Sequence, residues 1–401
     1  MRLPAVPRAL ALSLLAFPAA LGASSAAALA DSPAALVLVG ALALAGLFCI
    51  VFVSGGSHFQ DPLFCVFVVF SFTSAVDLVI ALEEDGFISG FVELYVREDQ
   101  PYLRTAHGIT LCYWDGTVHH GLYLAMIAAM SQRRSYRSLG LFWLGSVMMS
   151  IVVFLLGNLI GAATGGTRGA RGHRGCSVAL SPGAAPAGKY SSDLSASFLL
   201  NVPYVVLPVW AGRRLFQQPR ALPALTADEV AEEQRKGLHR RPQDAALIVL
   251  LLLTAAFTFF RGMVALDCPA DSCFEYIYQR EPYLRDPVAY PKVQMLIYLF
   301  YVLPFLGLGI YGLLRPGCSW MPDWSLVVAG AMAQAQFSHV GSSLHGRTPF
   351  PYQTPEDVRG AFLVANALYA LGPQLLALRC LRRPAFFLPA AAGLPSTKKL
   401  Q

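Results

Sequence analysis

Asp77 stands inside the apolar run Ala75-Val76-Asp77-Leu78-Val79-Ile80. An ionisable side chain in a membrane-crossing segment costs about 2.5 to 3.5 kcal/mol on insertion scales, so it is a functional candidate by default. It can contact a ligand, snorkel to the bilayer edge, or pair with Arg261, which holds the similar place in a later apolar run. A second cluster holds His107, Trp114, Asp115, His119 and His120. Asp115 and His119 are one helical turn apart and share a face, so the carboxylate can hold the imidazole in one tautomer, as acid-base chemistry requires. The same pair can serve as a buried hydrogen bond between helices. No nucleophile is in view beside it. A zinc site from His119, His120 and Asp115 is weak, because adjacent histidines diverge on a helix. Further along, Gln336 and His339 are three apart, with Gln334 and Ser338 on the same segment and Tyr298 and Tyr301 on its neighbour. Apolar walls with a few polar anchors are the make-up of a small-molecule site, and ordinary helix packing explains the same residues. No Walker motif, GxSxG, HExxH or dinucleotide fingerprint occurs, so neither cofactor nor metal is expected.

The elements that must position these residues are membrane helices. Of 401 residues 55% are hydrophobic and 13% charged, against about 25% charged in soluble domains, and mean hydropathy is +0.52. That excludes a secreted enzyme, a disordered scaffold and a nucleic-acid reader; the net charge of +6 is spread between apolar runs and forms no basic stripe. A span needs about 20 apolar residues. Ten such segments are predicted: 9–29, 33–54, 62–82, 107–130, 139–161, 195–212, 244–264, 291–314, 323–343 and 359–378. The first, following Arg2 and Arg8 and ending in Ala28-Leu29-Ala30, also reads as a cleavable signal peptide. One set of alternate loops, together with both termini, carries roughly twice the Lys and Arg of the other, which predicts cytosolic termini. Lys398 and Lys399, fourth and third from the end, then form a dilysine retrieval signal, a receptor-read address for the endoplasmic reticulum and its border with the Golgi. Eight scattered cysteines show no paired CxxC spacing, yet Cys268 and Cys273 share a predicted lumenal loop where a small disulfide is allowed.

An internal repeat sets the architecture. The stretch from Phe91 to Arg104 recurs, two residues shorter, from Phe274 to Arg285, ending each time in Pro-Tyr-Leu-Arg with Arg104 and Arg285 in structural positions. Each copy lies between the first and second spans of a four-span block of the same orientation, as in parallel repeats of transporters. The predicted layout is two N-terminal helices (1–60), a first block (61–212), a cytosolic linker (213–241), a second block (242–378) and a cytosolic tail (379–401). Residues 162–188, rich in Gly, Ala, Pro and Arg, have no counterpart in the second block and read as a disordered insertion.

The duplicated block resembles the four-span EXPERA domain, on Asp77 in Val-Asp-Leu-Val-Ile, the Pro-Tyr-Leu-Arg loops and Pro316-Gly317-Cys318-Ser319-Trp320. That superfamily includes the emopamil-binding sterol isomerase and the sigma-2 receptor. The tandem pair, with Glu-Glu-Gln-Arg-Lys-Gly-Leu at 232–238 and Asp-Pro-Val-Ala-Tyr-Pro-Lys-Val-Gln-Met at 286–295, resembles the transmembrane 6 superfamily. The resemblance implies an endoplasmic-reticulum protein that regulates triglyceride content and the lipidation and secretion of triglyceride-rich lipoproteins. Its departures count against an enzyme. The isomerase's His, and Glu four residues later, fall on Asp77 and Ala81, which breaks the acid-base pair. The sigma-2 receptor's ligand-binding Asp falls on Asp77, whereas its second carboxylate falls on Tyr298; Asp115 is a loose stand-in in the first block. Three readings follow: a non-enzymatic lipid or sterol binder and regulator using Asp77, Trp114, Asp115, His119, Tyr298, Gln336 and His339, an isomerase-like or lipid-remodelling enzyme using Asp77, Asp115 and His119, and an adaptor whose loops bind lipoprotein-assembly proteins.

Overall fold

The structure, a computed structural model, describes residues 5–25, 33–54, 61–91, 101–169, 202–220 and 225–389. Among these the chain is helical and shows no strand. Three helices come first: α1 (Ala5–Leu14), α2 (Ala16–Ser25) and α3 (Pro33–Ser54). The first block follows as α4 (Pro62–Glu84), a Pro101–Arg104 turn, α5 (Ala106–Trp114), a π-turn (Asp115–His119), α6 (His120–Ser131), α7 (Arg137–Gly169) and α8 (Val202–Gln217). After the capped linker helix α9 (Ala227–Arg235), the second block repeats this order. It comprises α10 (Pro242–Ala265), the short α11 (Asp271–Glu275), a Pro282–Arg285 turn, α12 (Tyr290–Ile297), a π-turn (Tyr298–Val302), α13 (Leu303–Leu314), α14 (Met321–Leu344) and α15 (Arg359–Arg382). The two 3₁₀ Pro-Tyr-Leu-Arg turns and the π-turns Asp115–His119 and Tyr298–Val302 therefore fall at matching places in the two blocks, and a further π-turn, Tyr276–Arg280, precedes the second Pro-Tyr-Leu-Arg turn.

Local sequence explains the helix starts. Asp61 caps α4 by accepting from the Leu63 amide at 2.9 Å ahead of Pro62, and Thr105 caps α5 by accepting from Gly108 at 3.1 Å. The outward faces are apolar, with Val249, Leu252, Leu253 and Phe259 exposed on α10, the reverse of a soluble bundle and the mark of a lipid-facing surface. This is an all-α polytopic membrane protein. Among the described residues, five helices are long and apolar enough to cross a bilayer: Pro62–Glu84, Arg137–Ile160, Pro242–Ala265, Tyr290–Leu314 and Arg359–Arg382.

The other predicted spans are helical too, with physical reasons for falling short of that test. The 107–130 segment carries His107, Asp115, His119 and His120, which lower its apolar content. Helix α14 is polar over its second half, where it buries Gln334, Gln336, Ser338, His339, Ser342 and Ser343 inside the protein. Of the predicted 195–212 span only 202–212 is described, and the first span is split at Leu15 into α1 and α2. Helix α7 runs on to Gly169, so the stretch expected to be disordered begins as helix; 170–201 lies outside the described residues, as does the tail holding Lys398 and Lys399.

The blocks meet where their third spans cross. A side chain on Gly145 of α7 would drive into the Val327 carbonyl, and one on Gly330 of α14 into that of Phe142. Each glycine stands three residues after the residue its counterpart approaches, the reciprocity expected of a pseudo-two-fold axis, and small residues allow helices in a bilayer this approach. Around the crossing, Thr110 bonds Ser342 at 3.0 Å, Tyr290 donates to Asn158 at 3.1 Å, and His107 stacks on Tyr290 with ring centres 4.6 Å apart.

Candidate functional site

In the first block the π-turn lies hard against α4, because a Cβ on Gly116 would meet the backbone of Leu78. π-turns concentrate at functional sites, and this one sets Asp115 within electrostatic reach of Asp77. Asp115 Oδ1 lies 2.5 Å from His119 Nδ1. On its far side, His119 Nε2 is 2.6 Å from Ser146 Oγ on α7, while the Trp114 indole donates to Ser146 at 2.9 Å and to His119 Nε2 at 3.2 Å. The network is consistent only if His119 carries its proton on Nδ1, facing Asp115, and accepts on Nε2. Ser146 is the residue that sequence reasoning missed. Its only signal was a serine beside Gly145, a small-residue pair in an apolar helix. His120 diverges from His119 as expected, with Nδ1 3.1 Å from the Ser71 carbonyl, to which it donates, and 3.0 Å from Ser74 Oγ.

Beside His120 lies a cavity of about 90 Å³ lined by Leu10, Ser13, Phe17, Leu78, Gly116 and His120. The N-terminal helices form one wall. Ala9, Ser13 and Ala16 are buried, and Ser13 Oγ is 3.0 Å from Ser71 Oγ. The segment that reads as a signal peptide is thus packed into the first block.

The second block places a different chemistry at the matching position. Tyr298 heads its π-turn and accepts from Gln294 at 2.8 Å and Gln336 at 2.9 Å. Arg261 does not pair with Asp77. It donates to Glu281 at 2.5 and 3.1 Å and to Asn366 at 3.3 Å, and His339 Nε2 lies 2.6 Å from Glu281 Oε1. Tyr276 donates to Glu281 at 2.8 Å. Burial would raise the Glu281 carboxyl, but Arg261 and His339 outweigh it and hold it down at about 2. Gln336 and His339 therefore do not jointly line a pocket; each is tied to a separate partner within the packed helices. Glu281 was overlooked although it abuts the repeated Pro-Tyr-Leu-Arg string. The repeated arginines have unlike partners: Arg104 is 3.6 Å from Glu84, and Arg285 lies over the Tyr278 ring at 3.7 Å. Cys268 and Cys273 are thiols in hydrogen-bond contact and are not bridged.

Two helical blocks packed through their third spans, with polar groups gathered inside them, define an all-α polytopic membrane protein. The EXPERA (EXPanded EBP superfamily) family matches residues 270–380, and the transmembrane 6 superfamily member 2-like transmembrane domain matches 15–167 and 177–226, skipping part of the 162–188 stretch. The chain is 54% identical to human transmembrane 6 superfamily member 2 over 385 residues, 96% of this chain and 95% of that protein. It is likewise 54% identical to the mouse protein of that name over 399 residues, 99% of this chain and 98% of that protein. The chain belongs to the transmembrane 6 superfamily member 2 family. No solved structure matches it.

Proposed function

We propose that this protein is a non-enzymatic regulator of lipid handling in the endoplasmic-reticulum membrane and the intermediate compartment beyond it. In this reading it promotes lipidation and secretion of triglyceride-rich lipoproteins, limits cellular triglyceride and lipid droplets, and binds a sterol or acyl lipid in its first block. The carrying observation is that the first block keeps a small, half-open, largely apolar cavity beside His120, with Asp115 on the adjoining π-turn and Asp77 of α4 within its electrostatic reach, room for the polar end of an amphiphile whose tail lies in the bilayer. The second block supports the same reading by contrast, because Tyr298, Gln336, Arg261 and His339 are engaged with neighbouring side chains. Ala81, at the place of the isomerase glutamate, is a fully buried methyl that moves no proton. Cytosolic termini put Lys398 and Lys399 where retrieval coats read them, and leave the Pro-Tyr-Leu-Arg loops facing lumenal lipoprotein-assembly proteins.

The test is photo-crosslinking in membranes with a diazirine sterol and a diazirine diacylglycerol, paired with triglyceride secretion from cells lacking the protein and re-expressing variants. Asp77→Ala and Asp115→Ala are expected to lower crosslinking and secretion together. Intact crosslinking and secretion in both variants would sink the site assignment. A second reading, a lipid-remodelling enzyme, is favoured by one observation, the chain of contacts from Asp115 through His119 to the Ser146 hydroxyl. Ser146 is wholly shut off and accepts from Trp114, which suits a structural hydrogen bond better. Accumulation of a lipid or sterol intermediate in cells lacking the protein, cleared by the intact chain but not by Asp115→Ala, would establish the enzyme instead.

A further inference from the structure

The loop between α10 and the Pro282–Arg285 turn holds the two cysteines, outside the membrane-crossing helices. Asp267, at φ 57°, adopts the left-handed conformation that side-chain-bearing residues rarely take, and the chain turns there so that Cys268 meets Cys273 of α11. Cys268 packs against the core cluster that holds Cys273, and Cys273 and the Ala270 amide lower the Cys268 thiol pKa while Cys268 and burial raise that of Cys273. Cys268 is part-exposed and Cys273 is buried. An accessible, more acidic thiol backed by a second thiol in contact is the arrangement that thiol–disulfide exchange uses, one sulfur attacking and the other resolving.

What holds Cys273 also holds the cap of the second block. Three residues on, Tyr276 packs edge-on against Phe260 and Phe257 and reaches Glu281, the partner of Arg261 and His339.

We propose that Cys268 and Cys273 are a redox pair that closes into a disulfide within this loop by exchange with a lumenal protein disulfide, stapling the cap of the second block to the end of α10. The proposal rests on the orientation proposed above, which puts the loop in the oxidising lumen. The Cys268 thiolate attacks one sulfur of the donor disulfide, whose S–S bond breaks, and the other donor sulfur leaves as a thiolate. Cys273 then gives up its proton and attacks the Cys268 sulfur of the mixed disulfide, expelling the donor's remaining cysteine. The pair is oxidised and the donor is reduced to a dithiol, with no other oxidant consumed. Closure spans a short loop with one sulfur accessible, so the bond remains exchangeable.

Trypsin places both cysteines in one peptide, Gly262 to Arg280. Full-length protein in membranes from expressing cells is denatured in N-ethylmaleimide and digested, and that peptide is weighed before and after reduction. The expected result is an unalkylated peptide lighter by two hydrogens, which reduction makes reactive at both thiols. A peptide carrying two maleimides without prior reduction overturns the proposal in the cell. Orientation is read separately from Cys273→Ser, whose Cys268 should meet a membrane-impermeant maleimide only after sealed vesicles are opened. If it reacts in sealed vesicles the orientation reading fails, and the pair is then judged by purified protein in a glutathione buffer: closure there supports it and an open pair overturns it. In the closed form, trypsin should cut native protein after Arg280 more slowly than in the reduced form; equal rates overturn the staple.

Discussion

At the head of its π-turn the first block carries Asp115 and the second carries Tyr298, and much of each interior follows from that exchange. Around Asp115 the polar groups are His119, Ser146, Asp77 and His120, and a cavity remains against the N-terminal helices. Around Tyr298 the space is filled: Tyr298 and Arg261 are both 1% exposed, and Glu281, His339, Asn366, Gln294 and Gln336 bond to one or the other. Duplication supplied one frame twice, and one copy has become packing while the other retains room. A buried ion pair is weak support for stability beside an apolar core, but removing one partner is severe because the other charge is stranded. The blocks should therefore answer mutation in opposite ways.

The largest effect is expected at Glu281. Glu281→Ala leaves the Arg261 guanidinium buried without a counter-charge and should cost about 3 to 5 kcal/mol, seen as a lower thermal midpoint of detergent-solubilised protein. The paired change Arg261→Met with Glu281→Leu should recover most of that loss. In the first block, Asp115→Asn keeps a hydrogen-bond acceptor toward His119 and should cost about 1 kcal/mol. If it costs as much as Glu281→Ala, Asp115 is structural and the contrast between the blocks collapses.

A smaller, oppositely signed effect comes from the residues just after the Pro-Tyr-Leu-Arg turns, where Thr105 in the first block matches Asp286 in the second. Thr105 is neutral and caps α5. Asp286 is buried, which lifts its carboxyl to about 6 although the Val288 amide donates to it. A raised folded-state pKa in an acid means the fold prefers the protonated form. The penalty is absent below the ordinary aspartate value, grows as pH climbs to about 6, and persists above. Asp286→Asn should thus stabilise the protein at neutral pH by on the order of 1 to 3 kcal/mol and change nothing near pH 4. Glu281 runs the other way: its folded-state value of about 2 lies below the ordinary 4.5, so its contribution is full above 4.5 and is lost as pH falls toward 2. Thermal midpoints of the wild type and Asp286→Asn between pH 2 and 8 separate the two.

The duplication, the helices and the family resemblance were legible because they depend on apolar runs and repeated strings, which a linear reading sees directly. Asp115 with His119 was legible because both lie on one helix, one turn apart. Contacts between distant segments were not. Ser146 meets His119 because α7 packs back against the π-turn of its own block, and Arg261 pairs with Glu281 because a loop folds back over α10. Placing Arg261 opposite Asp77 assumed that equivalent positions in the two blocks face each other. The pseudo-two-fold axis instead brings together the third spans, and Asp77 and Arg261 each face groups of their own block.

The finest comparison lies at the end of the bundle away from the Pro-Tyr-Leu-Arg turns, where each block ties the start of its first span to the end of its fourth. In the first block Arg214 donates to Asp61 at 2.6 Å, with side chains 39% and 34% exposed. In the second, Arg379 donates to Asp244 at 2.5 and 3.0 Å, with side chains 9% and 1% exposed, and its guanidinium also sits 5.4 Å from the Phe387 ring centre. Solvent screens the exposed pair, which should contribute about 0.2 to 1 kcal/mol. The buried pair is screened far less, yet Asp244 also holds Arg241 at 2.5 Å, so losing Arg379 leaves the carboxylate one cation and falls short of the full cost of stranding it. Arg379→Ala should therefore lower the thermal midpoint clearly, with little response to added salt. Arg214→Ala should lower it barely, by an amount that shrinks as salt rises. Equal losses in the two variants would mean that the bilayer's edge screens both ends alike, and that the blocks differ only in their interiors.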